Sequence, residues 1–261
     1  MNIKAHDDLL QAEMMVSFRK QKMVVSVYVI DGLLIDTGPP IMRDKLIPCF
    51  EEWAVKDVIL THHHEDHTGA AHWIQAHQNI PIYIHESGIE NCEKRMKLPF
   101  YRKVFWGERQ SFQPLALGDQ FTTANYTWDI IHTPGHAHDH VALFNREKGW
   151  MFGSDLYVHP TPKSFFAFES VPVIIDSLKK LLTYDFDTYV CSHAGVIHKG
   201  RQVIEKKLDY LEGVQREVLA LATRGKSPHA IRKTLFPKSH PLHYLSLFEN
   251  SPKHIVNSIL R

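Results

Sequence analysis

Thr61-His62-His63-His64-Glu65-Asp66-His67-Thr68-Gly69 is the stretch on which the reading of this chain turns. It follows the short apolar run Val58-Ile59-Leu60, which reads as a buried strand, and precedes Ala70 to His77, whose spacing predicts a helix. A loop set between two rigid elements can aim its side chains. Imidazole nitrogens and carboxylate oxygens suit zinc and similar first-row ions, and His62, His64, Asp66 and His67 are close enough in sequence to serve two neighbouring ions. A solvated polar turn could have the same composition, so the rest of the chain must decide.

The chain carries 19 histidines among 261 residues, and several recur where a predicted strand hands over to a loop. His136 closes His132-Thr133-Pro134-Gly135-His136, Asp155 follows the apolar run Trp150-Met151-Phe152, and His193 follows the predicted strand Thr188 to Cys191. Donor residues delivered repeatedly at strand ends are what a site on one rim of a sheet requires.

The run from His62 to His67 matches the HxHxDH signature of the metallo-β-lactamase superfamily, and Leu34-Ile35-Asp36-Thr37-Gly38, His136, Asp155 and His193 match its other motifs in order. From about Val24 to Gly195 the chain resembles that superfamily. The resemblance implies an α/β fold, a four-layer αββα sandwich. It also implies that His62, His64 and His136 hold a first metal, that Asp66, His67 and His193 hold a second, and that Asp155 bridges both. The implied cofactors are two divalent ions, zinc first, with iron or manganese as alternatives. Asp36 would support the ligating histidines without binding metal itself. His63 and Glu65, at the variable positions of the motif, are expected to face solvent or to back the ligands. His140 is expected to be structural or to back the ligands, and His159 and His198 to be surface residues. In the implied reaction two close ions lower the pKa of a shared water toward about 7, and the bridging hydroxide attacks. Asp66 is the catalytic candidate, orienting the hydroxide and passing a proton to the leaving group.

Around this centre the chain reads as strands from 14 to 36, a helix from Ile41 to Trp53 that Pro48 should bend or interrupt, and strands again from Phe121 to Phe152. Residues 86–116 show no clean period and mix aromatic with basic side chains. After about Gly200 the apolar positions Ile204, Leu208, Leu211, Val214 and Val218 follow helical spacing, and Ser227-Pro228 and Ser251-Pro252 have the form of helix starts. The expected division is a metal-binding hydrolase domain over 1–200 and a C-terminal helical domain over 201–261, with a winged-helix-like arrangement as one form of it. That tail is similar in architecture to the lactamase-like ribonuclease and thioesterase subfamily, in which a small helical domain overhangs the site.

Composition narrows the partners. Lys+Arg at 30 against Asp+Glu at 29 leaves almost no net charge, so there is no overall basic footprint for nucleic acid or an anionic membrane. The opening MNIKAHDDLLQAEMMVSF lacks the apolar stretch of a secretory signal and reads as part of the fold, and no segment approaches the length needed to cross a bilayer. The widely spaced Cys49, Cys92 and Cys191 fit a reducing compartment, with the cytoplasm expected. The leading expectation is a binuclear hydrolase of a small-molecule ester, thioester or lactone. Ala194-Gly195-Val196 after His193 departs from the Glu-Tyr-Thr of glyoxalase II and weighs against a glutathione thioester. A ribonuclease or phosphodiesterase using Lys94, Arg95, Lys97, Arg102 and Lys103 ranks second, so a nucleic acid partner is admitted without being favoured. A mononuclear iron persulfide dioxygenase ranks third. Oligomeric state is open, with a homodimer among the options.

Overall fold

The computed structural model describes residues 1–18, 21–238 and 241–261. The N-terminal strands β1 (Asn2–His6), β2 (Leu9–Phe18), β3 (Gln21–Ile30) and β4 (Leu33–Ile35) form an antiparallel meander. β-Branched residues dominate β3, and the predicted Asp31-Gly32 turn closes it onto β4, both turn residues having left-handed φ values of 52° and 79°. Helix α1 (Arg43–Glu52) follows and continues past Pro48 without interruption. The carbonyl that Pro48 leaves without a donor is that of Asp44, in the exposed first turn, where water can replace the lost hydrogen bond.

β5 (Asp57–Ile59) then adds parallel to β4. Beyond α2 (Glu65–Thr68) and α3 (Ala71–Gln78), β6 (Ile82–Ile84) extends the sheet. The stretch without clear period holds α4 (Ile89–Glu93), α5 (Phe100–Trp106) and β7 (Leu115–Ala116), which completes a seven-stranded sheet. It is ordered by tertiary contacts: Trp106 and Phe112 bury into the core beneath, and the Arg109 guanidinium donates to the carbonyls of Cys92 and Asn91.

The second half begins with β8 (Gln120–Thr122), β9 (Thr127–His132), β10 (Val141–Asn145) and β11 (Trp150–Phe152). It continues through β12 (Phe165–Phe166), α6 (Val171–Leu181), β13 (Thr188–Cys191) and β14 (Gly195–Ile197). Five of these strands, with β14, make a six-stranded sheet in the order β14-β13-β11-β10-β9-β8. The chain ends in α7 (Gly200–Thr223), α8 (Pro228–Leu235), α9 (Pro241–Leu245), β15 (Asn250–Ser251) and α10 (Pro252–Leu260), with β15 pairing antiparallel to β12.

The layers follow from side-chain alternation. Tyr28, Ile30, Leu33, Ile35 and Ile59 of the first sheet meet Trp128, Leu143, Trp150, Phe152 and Val190 of the second. Val27, Val29, Leu34 and Val58 point the other way, onto Leu46, Phe50 and Ile74 from α1 and α3. Ala142, Phe144, Met151, Tyr189 and Cys191 point outward onto α6, α7, α8 and α10. Central strands buried on both faces read as continuous apolar runs, and the result is the expected αββα sandwich. Ile204, Leu211 and Val218 of the tail stripe are fully buried, while Leu208 and Val214 pack half-buried beside them. Both serine caps form, Ser227 accepting from the Ala230 amide and Ser251 from the Lys253 amide.

Candidate metal centre

The C-terminal ends of β4, β5, β9, β11 and β13 open on one rim of the sandwich and carry Asp36, the His62–His67 loop, His136, Asp155 and His193 respectively. All seven predicted metal residues come together there, in two groups. His62, His64 and His136 form one; Asp66, His67, Asp155 and His193 form the other. In the first, His64 Nδ1 lies 2.9 Å from His62 Nε2 and 3.1 Å from His136 Nε2. In the second, His193 Nε2 lies 3.2 Å from Asp155 Oδ2 and 3.4 Å from Asp66 Oδ2, and His67 Nε2 lies 3.6 Å and 3.8 Å from the same two oxygens. Asp155 Oδ2 is also 3.5 Å from His136 Nε2, so one oxygen reaches both groups.

The far side of three of the rings is held by a partner. His67 Nδ1 donates to Asp36 Oδ2 at 2.7 Å, His193 Nδ1 to the Val24 carbonyl at 2.7 Å, and His136 Nδ1 to Glu169 at 2.8 Å. Each of these bonds fixes the tautomer and points the Nε2 lone pair at the centre. Asp36 thus takes the supporting role expected of it, in a left-handed conformation (φ 61°) that aspartate tolerates. Its carboxylate also accepts from the Thr61 amide and hydroxyl. Thr61, Ser154 and Ser192 connect through hydroxyl contacts of 3.1 and 3.0 Å, tying three of the rim loops together beneath the donors.

Electrostatics favour cations at this rim. Burial, reinforced by neighbouring imidazoles, holds His62 and His64 well below the usual histidine range, which keeps them neutral and able to ligate. Burial opposes protonation of His67 and His193 too, yet Asp155, Asp66 and, for His67, Asp36 outweigh it and raise both. Asp155 is driven well below the ordinary carboxylate range by His193 and His67 despite its burial. His67 Nε2 and Asp155 Oδ1 are buried without a hydrogen-bond partner among the described residues. Orphaned donor atoms that converge in this way are the kind of set that divalent metal ions satisfy, and the residues present fit metal binding.

The variable motif positions divide. His63 is half-buried and pairs with Asp139 at 2.8 Å. Glu65 does not face solvent: it is fully buried and takes a bidentate pair from Arg102 at 2.6 and 2.7 Å. Arg102 in turn lies 3.7 Å from Glu249 of the tail, with its guanidinium over the rings of Phe166 and Phe168. His140 is structural as expected, bonded to Thr133 at 2.8 Å, its imidazole held down at about 3 by burial. His159 and His198 are exposed. Glu169 and the Val24 carbonyl belong to no motif that the sequence reading used, and nothing in the motif position of Glu65 or the basic patch around Arg102 announced their pairing.

The loop depends on one close approach. Gly69, which ends the motif, sits against the backbone of Pro39 and Pro40, where any Cβ would overlap main-chain atoms that cannot swing aside. Gly69→Ala is therefore expected to cost about 1–3 kcal/mol of stability, read from a lowered urea midpoint, and to loosen metal binding by shifting His67.

The fold and rim together define a metal-binding αββα protein. Residues 22–193 match the family model described as the metallo-beta-lactamase superfamily, and the chain belongs to that superfamily. It is 25% identical over 204 residues to a hydroxyacylglutathione hydrolase from Hahella chejuensis, covering 75% of this chain and 70% of the relative. It is 28% identical over 210 residues to the atrochrysone carboxyl ACP thioesterase of Emericella nidulans, covering 77% and 60%. A lactamase-like protein from Pestalotiopsis microspora is 27% identical over 195 residues; the match covers 72% of this chain and about half (53%) of that relative's length. Among solved structures, a metallo-beta-lactamase family protein from Thermus thermophilus shares the fold with a TM-score of 0.65 at 20% identity, over 96% of this chain and 90% of that one. Among the described residues no helix is long and apolar enough to cross a membrane.

Proposed function

We propose that this chain is a binuclear metal-dependent hydrolase that cleaves a small ester, thioester or lactone, with a thioester foremost. The observation that carries the reading is Asp155 Oδ2, within 3.5 Å of His136 in one group and 3.2 Å of His193 in the other. His62, His64 and His136 would hold the first ion, Asp66, His67 and His193 the second, and Asp155 both. Zinc suits the donors best, with iron or manganese as alternatives. When bound, the ions supply an acidified water and Lewis acidity toward a carbonyl oxygen.

The chain's own groups do the rest. Asp66, at the edge of the second group, orients the attacking water and carries its proton to the leaving atom. A cavity of about 590 Å³ opens beside His64, walled by Phe168, Pro99, Leu98, Ala137 and Arg102, a size suited to a small acyl substrate. The thioester preference is supported by the relative named as a thioesterase. A polynucleotide substrate is less well supported, because four of the five cations in the basic patch already have an acidic partner within the chain. Arg102 pairs with Glu65, Lys94 with Glu90, and Arg95 and Lys103 with Glu108.

We propose too that residues 1–200 carry the metal-binding machinery and 201–261 form a helical unit that completes the outer layer and lends Glu249 to the cavity wall. Three buried, unpaired cysteines suit a cytoplasmic setting.

Counting metal in the purified protein alongside an ester, thioester, lactone and RNA panel tests the reading; a metal-replete protein inert toward all acyl substrates would refute it. Asp66→Ala should lower kcat by about 10²–10⁴-fold and weaken one of the two ions while leaving the melting temperature nearly unchanged, since the residue sits on a rim. Steady-state kinetics, metal counts and thermal denaturation on the same preparation check all three parts.

A further inference from the structure

Another group of donor residues lies outside the two already described. One donor atom from each of His63, His138 and Asp139 falls within 4.8 Å of the others, and none of the three is a member of the two groups on the rim, although His63 stands between His62 and His64 on the same loop. We propose that these residues form a third divalent-cation site, with zinc as its occupant, in the wall of the substrate cavity.

The local hydrogen bonding prepares them for it. His138 Nε2 lies 3.0 Å from the Ser87 carbonyl, which can only accept, so Nε2 carries the proton and Nδ1 keeps its lone pair. The His138 backbone is pinned in turn, its carbonyl accepting from His132 Nε2 at 2.8 Å. The His63 and His138 rings stand 5.1 Å apart. Asp139 is fully buried, spends Oδ1 on His63 at 2.8 Å, and leaves Oδ2 with no hydrogen-bond partner among the described residues. A buried carboxylate with unmet accepting capacity beside two imidazoles is a donor set that a first-row cation satisfies.

Position decides what such an ion could do. His63 and His138 line the same cavity as His64. Zinc takes four ligands, so three protein donors leave one position open to the cavity, where an anionic group of a bound molecule or water can complete it. His138 is exposed and His63 only half-buried, so the ion exchanges with solvent and binds more weakly than the two on the rim.

Equilibrium dialysis of the full chain against stepped free zinc, with ions counted by mass spectrometry, tests this. Two ions are expected at low free zinc and a third at higher concentration. His138→Ala, which trims an exposed side chain, should weaken the third ion about tenfold or more while keeping the first two; Asp139→Asn should weaken it as well. Wild-type protein that saturates at two ions up to millimolar zinc, both bound unchanged in His138→Ala, would overturn the proposal. So would a third ion retained unchanged in His138→Ala, which would place it elsewhere on the surface. Tight binding of the first two ions tests the binuclear reading separately, so either idea can fail without the other.

Discussion

Asp155→Asn is expected to release both ions together and abolish turnover. Two dications held a few ångströms apart would repel strongly, and the oxygen that reaches both groups belongs to the anionic carboxylate of Asp155. Asparagine keeps the shape but removes the charge, and its amide nitrogen can only donate, so it offers no lone pair to a metal ion. Losing an outer partner of a ligand typically costs about 10–100-fold in affinity, and losing a shared ligand should exceed that for each ion. Metal counts after dialysis, measured beside kcat/KM, check the outcome. If one ion stays at wild-type affinity while the other leaves, Asp155 serves a single metal and the binuclear assignment must be redrawn.

The second large effect is on stability. Arg102→Leu would leave the Glu65 carboxylate buried beside Asp66 with no counter-charge, because the bidentate pair is its principal partner. Breaking a buried pair from one side costs about 3–5 kcal/mol, whereas replacing both members with apolar residues is often close to neutral. Urea denaturation should therefore show a large loss for Arg102→Leu and substantial recovery in the Glu65→Leu, Arg102→Leu double variant. The pH dependence gives an independent reading. Burial already raises Glu65, and without the guanidinium it rises further above its unfolded value. The folded state then holds a proton that the unfolded state has released, so stability falls as pH climbs between those two values. The deficit relative to wild type should accordingly shrink toward acid pH. A deficit independent of pH would mean that Arg102 acts through its packing on Phe166 and Phe168 rather than its charge.

Much of the frame was legible along the chain because its signals are local. The Asp31-Gly32 turn, the apolar runs of β3, β5 and β13 and the Ser-Pro helix starts depend on residues within a few positions of one another. So did the donors, since each stands just past a strand end that an apolar run announces. Pro48 does not interrupt α1, because its cost depends on whether the orphaned carbonyl can reach water, which spacing does not report. Residues 86–116 looked irregular because α4 and α5 are short and stabilised by burial of Trp106 and Phe112 rather than by amphipathic period.

Hydrophobic period announced the helical tail, and the resemblance carried by the motifs from Asp36 to His193 implied the αββα class and the seven candidate donors. How the donors are held, and what surrounds them, came from tertiary structure alone. Glu169 meets His136 across 33 residues, Arg102 meets Glu65 across 37, and the Val24 carbonyl meets His193 across 169. Contacts of such separation leave no local pattern, because each exists only once the two sheets have closed on their shared core and brought the strand ends to one rim.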